Sequence, residues 1–179
     1  MESQKEKKPK AKNPNRDIFV EKVTLSMGTN VSPELLEKAL LLLEKISGKK
    51  PVKTVSNKRI PTWSVRPGLP VGAMVTLRKA LAEEKLASLL KANDNKLSKK
   101  AFDDLGNFSF GIKEYIDIPG IEYDHNLGIL GLQVSVTLSR PGYRVKKRKD
   151  FKSKIGKKHL ITKDEAITFI KNKFGVEAE

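Results

Sequence analysis

Residues 129–140, ILGLQVSVTLSR, carry the plainest structural signal in the chain: Leu130, Leu132, Val134, Val136 and Leu138 alternate with Gln133, Ser135, Thr137 and Ser139. A period of two sends successive side chains to opposite faces, so this stretch is a strand with one apolar and one polar side. The same period recurs in residues 19–27, where Phe19, Val23, Leu25 and Met27 oppose Lys22, Thr24 and Ser26. It recurs again at 73–79, where Val75 and Leu77 oppose Met74, Thr76 and Arg78. PVKTVSNK at 51–58 reads as a further short strand, and 107–118 as a strand pair or a bent strand.

Helical spacing fills the gaps between them. Leu35, Leu36, Ala39, Leu40, Leu43 and Ile46 repeat at helical intervals, with Ser32 placed to cap, Pro33 to open and Gly48 to stop. A second helix spans 80–91 through Leu81, Leu86, Leu89 and Leu90. The last begins at Thr162, whose partner Glu165 completes a capping box, and presents Ala166, Ile167, Ile170 and Phe174 before Gly175. Strands and helices interleave without the regular alternation and Gly-rich turn of a doubly wound fold. The expected architecture is α+β, a mainly antiparallel sheet with helices packed on one face and a long protruding basic loop. Residues 1–14 are expected to be a flexible basic arm, and 15–177 a single domain that includes a basic segment at 142–160.

Charge is segregated along this framework. The chain holds 36 Lys and Arg against 21 Asp and Glu, a net charge of +15. Between Glu44 and Glu83 no acid occurs, yet Lys45, Lys49, Lys50, Lys53, Lys58, Arg59, Arg66, Arg78 and Lys79 do. From Arg140 to Lys158 ten basic residues face one acid, Asp150. A merely solvated surface mixes both signs, whereas segregated cations attract a polyanion and make binding steeply salt-dependent. The polar sheet face of Lys22, Thr24, Ser26, Thr76, Arg78, Gln133, Ser135 and Thr137 is expected to lack acid and to suit a sugar-phosphate backbone. The stretch Asn57–Gly72, NKRIPTWSVRPGLPVG, shows no hydrophobic period; it adds Lys58, Arg59 and Arg66, and Trp63, which either stacks on a nucleotide or anchors the loop to the core.

Catalysis finds little support. His125 and His159 lie far apart among unrelated neighbours, and Asp103–Asp104 reads as a loop turn before a magnesium site. Neither Gly48-Lys49 nor Gly156-Lys157 has phosphate-loop spacing. There is no cysteine, which fits a reducing compartment, and no apolar run approaches the ~20 residues of a membrane span. No enzyme, metal or cofactor is expected, and a soluble cytoplasmic protein with no membrane partner is.

The ordered blocks NPNRDIFVEKVTLSMG, SGKKPVKTVSNKR, RPGLPVGAMVTLR, FDDLGNFSFGIKEYIDIPGIEYD, GILGLQVSVTLSRPGYRV and GKKHLITKDEAITFI resemble the 5S-rRNA-binding ribosomal protein family of the large subunit, number five in bacterial and eleven in eukaryotic naming. The resemblance covers residues 13–177, and Gly142–Leu160 is similar to its archaeal and eukaryotic branch. It implies a place in the central protuberance, contacts to 5S rRNA and the large-subunit rRNA, a loop reaching P-site tRNA, and a bridge to a small-subunit head protein. By position, the 5S rRNA contacts it implies fall on Lys22, Ser26, Lys49, Thr76 and Arg78, and the tRNA-facing loop on Lys58, Arg59, Trp63 and Arg66. The competing expectation is a non-ribosomal RNA- or DNA-binding protein or chaperone.

Overall fold

The computed structural model describes residues 13–29 and 32–178. Most of the arm expected at 1–14 therefore lies outside the described residues, and order is seen from Asn13, whose side chain caps a turn at Pro14–Arg16. The elements that follow are β1 (Phe19–Gly28), α1 (Pro33–Ser47), β2 (Val52–Val55), β3 (Pro70–Arg78), α2 (Ala80–Lys91), β4 (Lys96–Leu97), β5 (Phe108–Ile112), β6 (Leu132–Ser139), α3 (Lys163–Phe174) and β7 (Glu177–Ala178). Five strands form one antiparallel sheet in the order β2-β3-β1-β6-β5, so the architecture is α+β as its alternation predicts. A two-residue parallel pairing of β4 with β7, invisible to periodicity, ties the C-terminus down.

One face of the sheet is the core. Val23, Leu25, Val75, Leu77, Val134 and Val136 are buried there, with α1 and α2 packed against β1 and β3. Leu42, Leu43, Leu86, Leu89 and Leu90 supply the helical side of this layer. Each fully buried leucine is worth roughly 1.5–3 kcal/mol in transfer alone. Gly48 ends α1 in the left-handed conformation, but Ser32 makes no side-chain cap, so Pro33 alone marks the start. The capping box on α3 forms as expected: Thr162 accepts from the Glu165 amide, and Glu165 reaches back to the Thr162 N–H. Gly72 is required by close approach, since a Cβ there would stand 2.4 Å from the Met27 carbonyl oxygen.

Two expectations about sidedness fail. A β-bulge between Val20 and Lys22 inserts one residue and reverses the alternation at the start of β1. Val20 is therefore buried and Phe19, expected in the core, is 41% exposed. Ser139, expected on the open polar side, is only 3% exposed, and its hydroxyl donates to the Arg140 carbonyl.

Residues 140–161 form a basic lobe. Arg140 is buried, and its guanidinium donates to the carbonyls of His159 (3.3 Å) and Leu160 (3.1 Å) and pairs with Glu165 at 2.9 Å. The Tyr143 hydroxyl donates to the His159 carbonyl and accepts from the Ile161 amide, while His159 Nε2 lies 2.9 Å from the Pro141 carbonyl oxygen. Both ends of the lobe are thus stitched together. Burial pushes the Glu165 carboxyl up, but the Thr162 amide and the Arg140 guanidinium outweigh it and hold it below the ordinary carboxylate range.

Candidate nucleic-acid interface

Strand register assembles the polar face into rows. Arg78, Lys22 and Thr137 stand side by side across β3, β1 and β6. The next row is Thr76, Thr24, Ser135 and Ser109, four hydroxyls across four strands. The third is Val52, Met74, Ser26, Gln133 and Gly111, partly apolar at the β2 edge. Lys22, Ser26, Thr76 and Arg78 therefore share one face, opposite the one that α1 and α2 cover, and all are half-buried or exposed. Such a surface presents neutral donors at the spacing of the sheet, roughly 4.8 Å between strands, with cations along one end.

The face is not free of acid. The bulge that displaces Phe19 turns Glu21 onto the polar side, where its carboxylate lies 3.8 Å from Arg78 and pairs with Lys147 of the basic lobe. Its side chain is only 19% exposed. Lys146 and Lys147 thereby come to stand beside Lys22, and Lys146 lies 4.7 Å from the centroid of the Tyr143 ring. The run of cations after Arg140 shows in the sequence only as a density, which ties none of them to the sheet. The Lys147–Glu21 contact spans 126 residues, and no local pattern encodes it.

Lys49 stands apart from these rows, exposed in the turn between α1 and β2, where its amide donates to the Ser47 hydroxyl. Lys58, Arg59, Trp63 and Arg66 are brought together elsewhere. Residues 56–69 are not an irregular loop but the tip of the β2–β3 hairpin, with Ile60 and Val65 exchanging both backbone hydrogen bonds around a turn at Pro61–Trp63. The Gly68 amide donates to the Ser56 carbonyl and the Ser56 amide to the Leu69 carbonyl, closing the base of the tip. Trp63 is 70% exposed, which excludes its use as a core anchor, and Lys58, Arg59 and Arg66 are exposed beside it.

Asp103, weighed above for magnesium, has a structural part to play. Asp103 accepts from the Leu105 and Asn107 amides and from the Asn107 side chain, the pattern of a capped turn. Among the described residues no cluster of three metal-ligating side chains occurs, and no helix is long and apolar enough to cross a membrane.

Fold and surface together define a class, an open-faced α+β protein whose uncovered sheet side is polar and cationic. Residues 13–66 match the family "Ribosomal protein L5", and residues 70–169 match the model of the same ribosomal family's C-terminus. Similar proteins include the large ribosomal subunit protein uL5 of Nitrosopumilus maritimus, 46% identical over 164 residues, which are 92% of this chain and 95% of that one. Those of Nanoarchaeum equitans, at 48% over 92% of this chain and 98% of theirs, and Sulfolobus acidocaldarius, at 44% over 93% and 94%, agree. The chain belongs to the ribosomal protein L5 family, in its archaeal-like form. It is accordingly a structural, non-enzymatic constituent of the large ribosomal subunit, cytoplasmic and ribosome-associated, with ribosomal RNA as its partner.

Proposed function

We propose that the polar sheet face, with the basic lobe beside it, holds 5S rRNA in the central protuberance, and that the hairpin tip contacts P-site tRNA. The observation that carries the first half is the row of Arg78, Lys22 and Thr137 above a four-strand row of hydroxyls. Cations on a rigid sheet supply affinity for phosphate, and hydroxyls at fixed spacing hydrogen-bond phosphate oxygens and ribose 2′-hydroxyls without reading sequence. Support for the second half is the exposure of Lys58, Arg59, Trp63 and Arg66 on one self-contained tip, where a flat indole among cations suits a nucleic-acid elbow. Lys49, exposed in the turn between α1 and β2, stays with the 5S rRNA contacts by its position in the family, and the outer lobe lysines are offered to the large-subunit rRNA. A bridge to a small-subunit head protein rests on family resemblance alone.

The test separates the two surfaces. Lys22→Ala with Arg78→Ala should weaken 5S rRNA binding and reduce the slope of log K against log salt by roughly 0.7–0.9 for each phosphate contact removed. Replacing Lys58, Arg59 and Arg66 by Ala should leave that slope intact and lower tRNA occupancy of the P site in assembled ribosomes. An unchanged slope in the first variant, or equal losses in both assays for the second, would sink the assignment.

A further inference from the structure

Where the sheet face meets the basic lobe the surface closes into a notch of about 160 Å³. Leu105, Leu160 and Tyr143 give it an apolar part, Asn107 and Thr137 a polar one, and Lys22, Lys146 and Lys147 its cations. Glu21 is the one carboxylate among the described residues that line it. The volume is about half the ~300 Å³ at which ordinary small-molecule sites begin, enough for one planar ring system with its sugar outside. A part-apolar, part-polar lining with lysines beside it matches a nucleotide, the base against Leu160 and Tyr143 and the phosphate on the lysines.

The carboxylate is the informative part. At a surface that attracts a polyanion a buried-edge glutamate opposes binding, unless it accepts hydrogen bonds from the ligand. Among the four bases, guanine alone sets two donors, N1–H and the 2-amino group, side by side on its Watson–Crick edge to match both carboxylate oxygens. Adenine and cytosine offer an amino group next to an acceptor, and uracil a single N–H between two carbonyls; a carboxylate repels those acceptors.

We propose that this notch takes one unpaired guanosine of the bound RNA, with Glu21 reading the base. This rests on the polar face being an RNA surface. In the free protein Lys147 neutralises Glu21. On binding, the ammonium passes to the phosphate flanking the guanosine while the base donors replace it on the carboxylate, so neither charge is left uncompensated. Arg78, 3.8 Å from Glu21, holds the carboxylate from the sheet side throughout. The Watson–Crick edge is occupied in a duplex, so the recognised base belongs to a loop or bulge.

The experiment uses labelled hexauridylate strands carrying a single central guanosine, inosine or adenosine, titrated against the full-length protein. The guanosine strand should bind about tenfold more tightly than the adenosine strand, as loss of a bidentate base contact implies. Inosine, which lacks the 2-amino group, should fall between them. Glu21→Gln should erase the guanosine preference, and Leu105→Trp, which places a bulky ring at the exposed mouth of the notch, should erase it without touching the carboxylate. Equal binding of all strands by the wild-type protein, or a preference that survives Glu21→Gln in a variant with unchanged thermal midpoint, overturns the notch while leaving the RNA surface standing. Failure to bind any strand or any rRNA would remove the surface itself. Competition by free guanosine monophosphate at equal concentration would reassign the notch to a mononucleotide and overturn its role in RNA.

Discussion

The sheet face and the hairpin tip carry the same kinds of cation on opposite kinds of support. Lys22 and Arg78 are placed by the register of a five-stranded sheet, and beneath them Val23, Leu25 and Leu77 are sealed by α1 and α2. Lys58, Arg59 and Arg66 are placed by a turn of fourteen residues whose backbone bonds stay within 56–69. Val65 is buried there, but it stands outside the main apolar core. A surface welded to the core suits the stable hold on a folded RNA proposed for it. A tip held only by itself can yield to a ligand that arrives and leaves, because local opening costs less than global unfolding. Rigidity follows the number of elements sharing the load, and charge alone does not reveal it.

The strongest way to break this contrast is from below. Leu25→Ala, at a fully buried site under the polar rows, should cost about 3 kcal/mol of global stability and lower rRNA binding with it, read by denaturant unfolding and titration. The tip should keep its amide protection in the same variant at denaturant concentrations below the midpoint.

A smaller effect is expected at the lobe, which lies between the two extremes. Arg140→Met should cost about 2 kcal/mol, since it leaves the Leu160 carbonyl without its donor, the His159 carbonyl with Tyr143 alone, and Glu165 without its ion pair. The Glu165 carboxyl is held below its ordinary value of 4.5, so its contribution is complete above that pH and is lost as pH falls toward the lower folded value. Thermal midpoints should therefore decline on acidification below about pH 4.5 more steeply in the wild type than in Glu165→Gln. Identical slopes would show that the pair does not hold the lobe.

The smallest effect is reserved for the tip. Val65→Ala should raise amide exchange at Ile60 and Val65 by about tenfold, a local loss near 1.4 kcal/mol, while global stability stays within about 0.5 kcal/mol of wild type. A global shift as large as that of Leu25→Ala would show the tip and sheet to be one cooperative unit and erase the distinction drawn between them.

Much of the framework was legible in local pattern. The alternation in 132–138, the Thr162 and Glu165 box and the stop at Gly48 are each complete within a few residues, and each appears where expected. Lys22, Ser26, Thr76 and Arg78 came to one face because the period of a strand fixes sidedness from within. Phe19 went astray because a bulge is a property of two strands, not of one. The tip hid its order because a single bridge between Ile60 and Val65 leaves no hydrophobic period.

Composition, alternation and family motifs, read along the chain, determined an α+β ribosomal protein with cations and hydroxyls on one strand face. Only the tertiary structure decided that β3, β1 and β6 lie side by side, that Glu21 turns outward between Arg78 and Lys147, and that Arg140 pins a basic lobe against Glu165. Period and capping are written in neighbours a few residues apart. Those other contacts join residues tens to more than a hundred positions distant, and they exist only once burial of the shared core has brought the strands together.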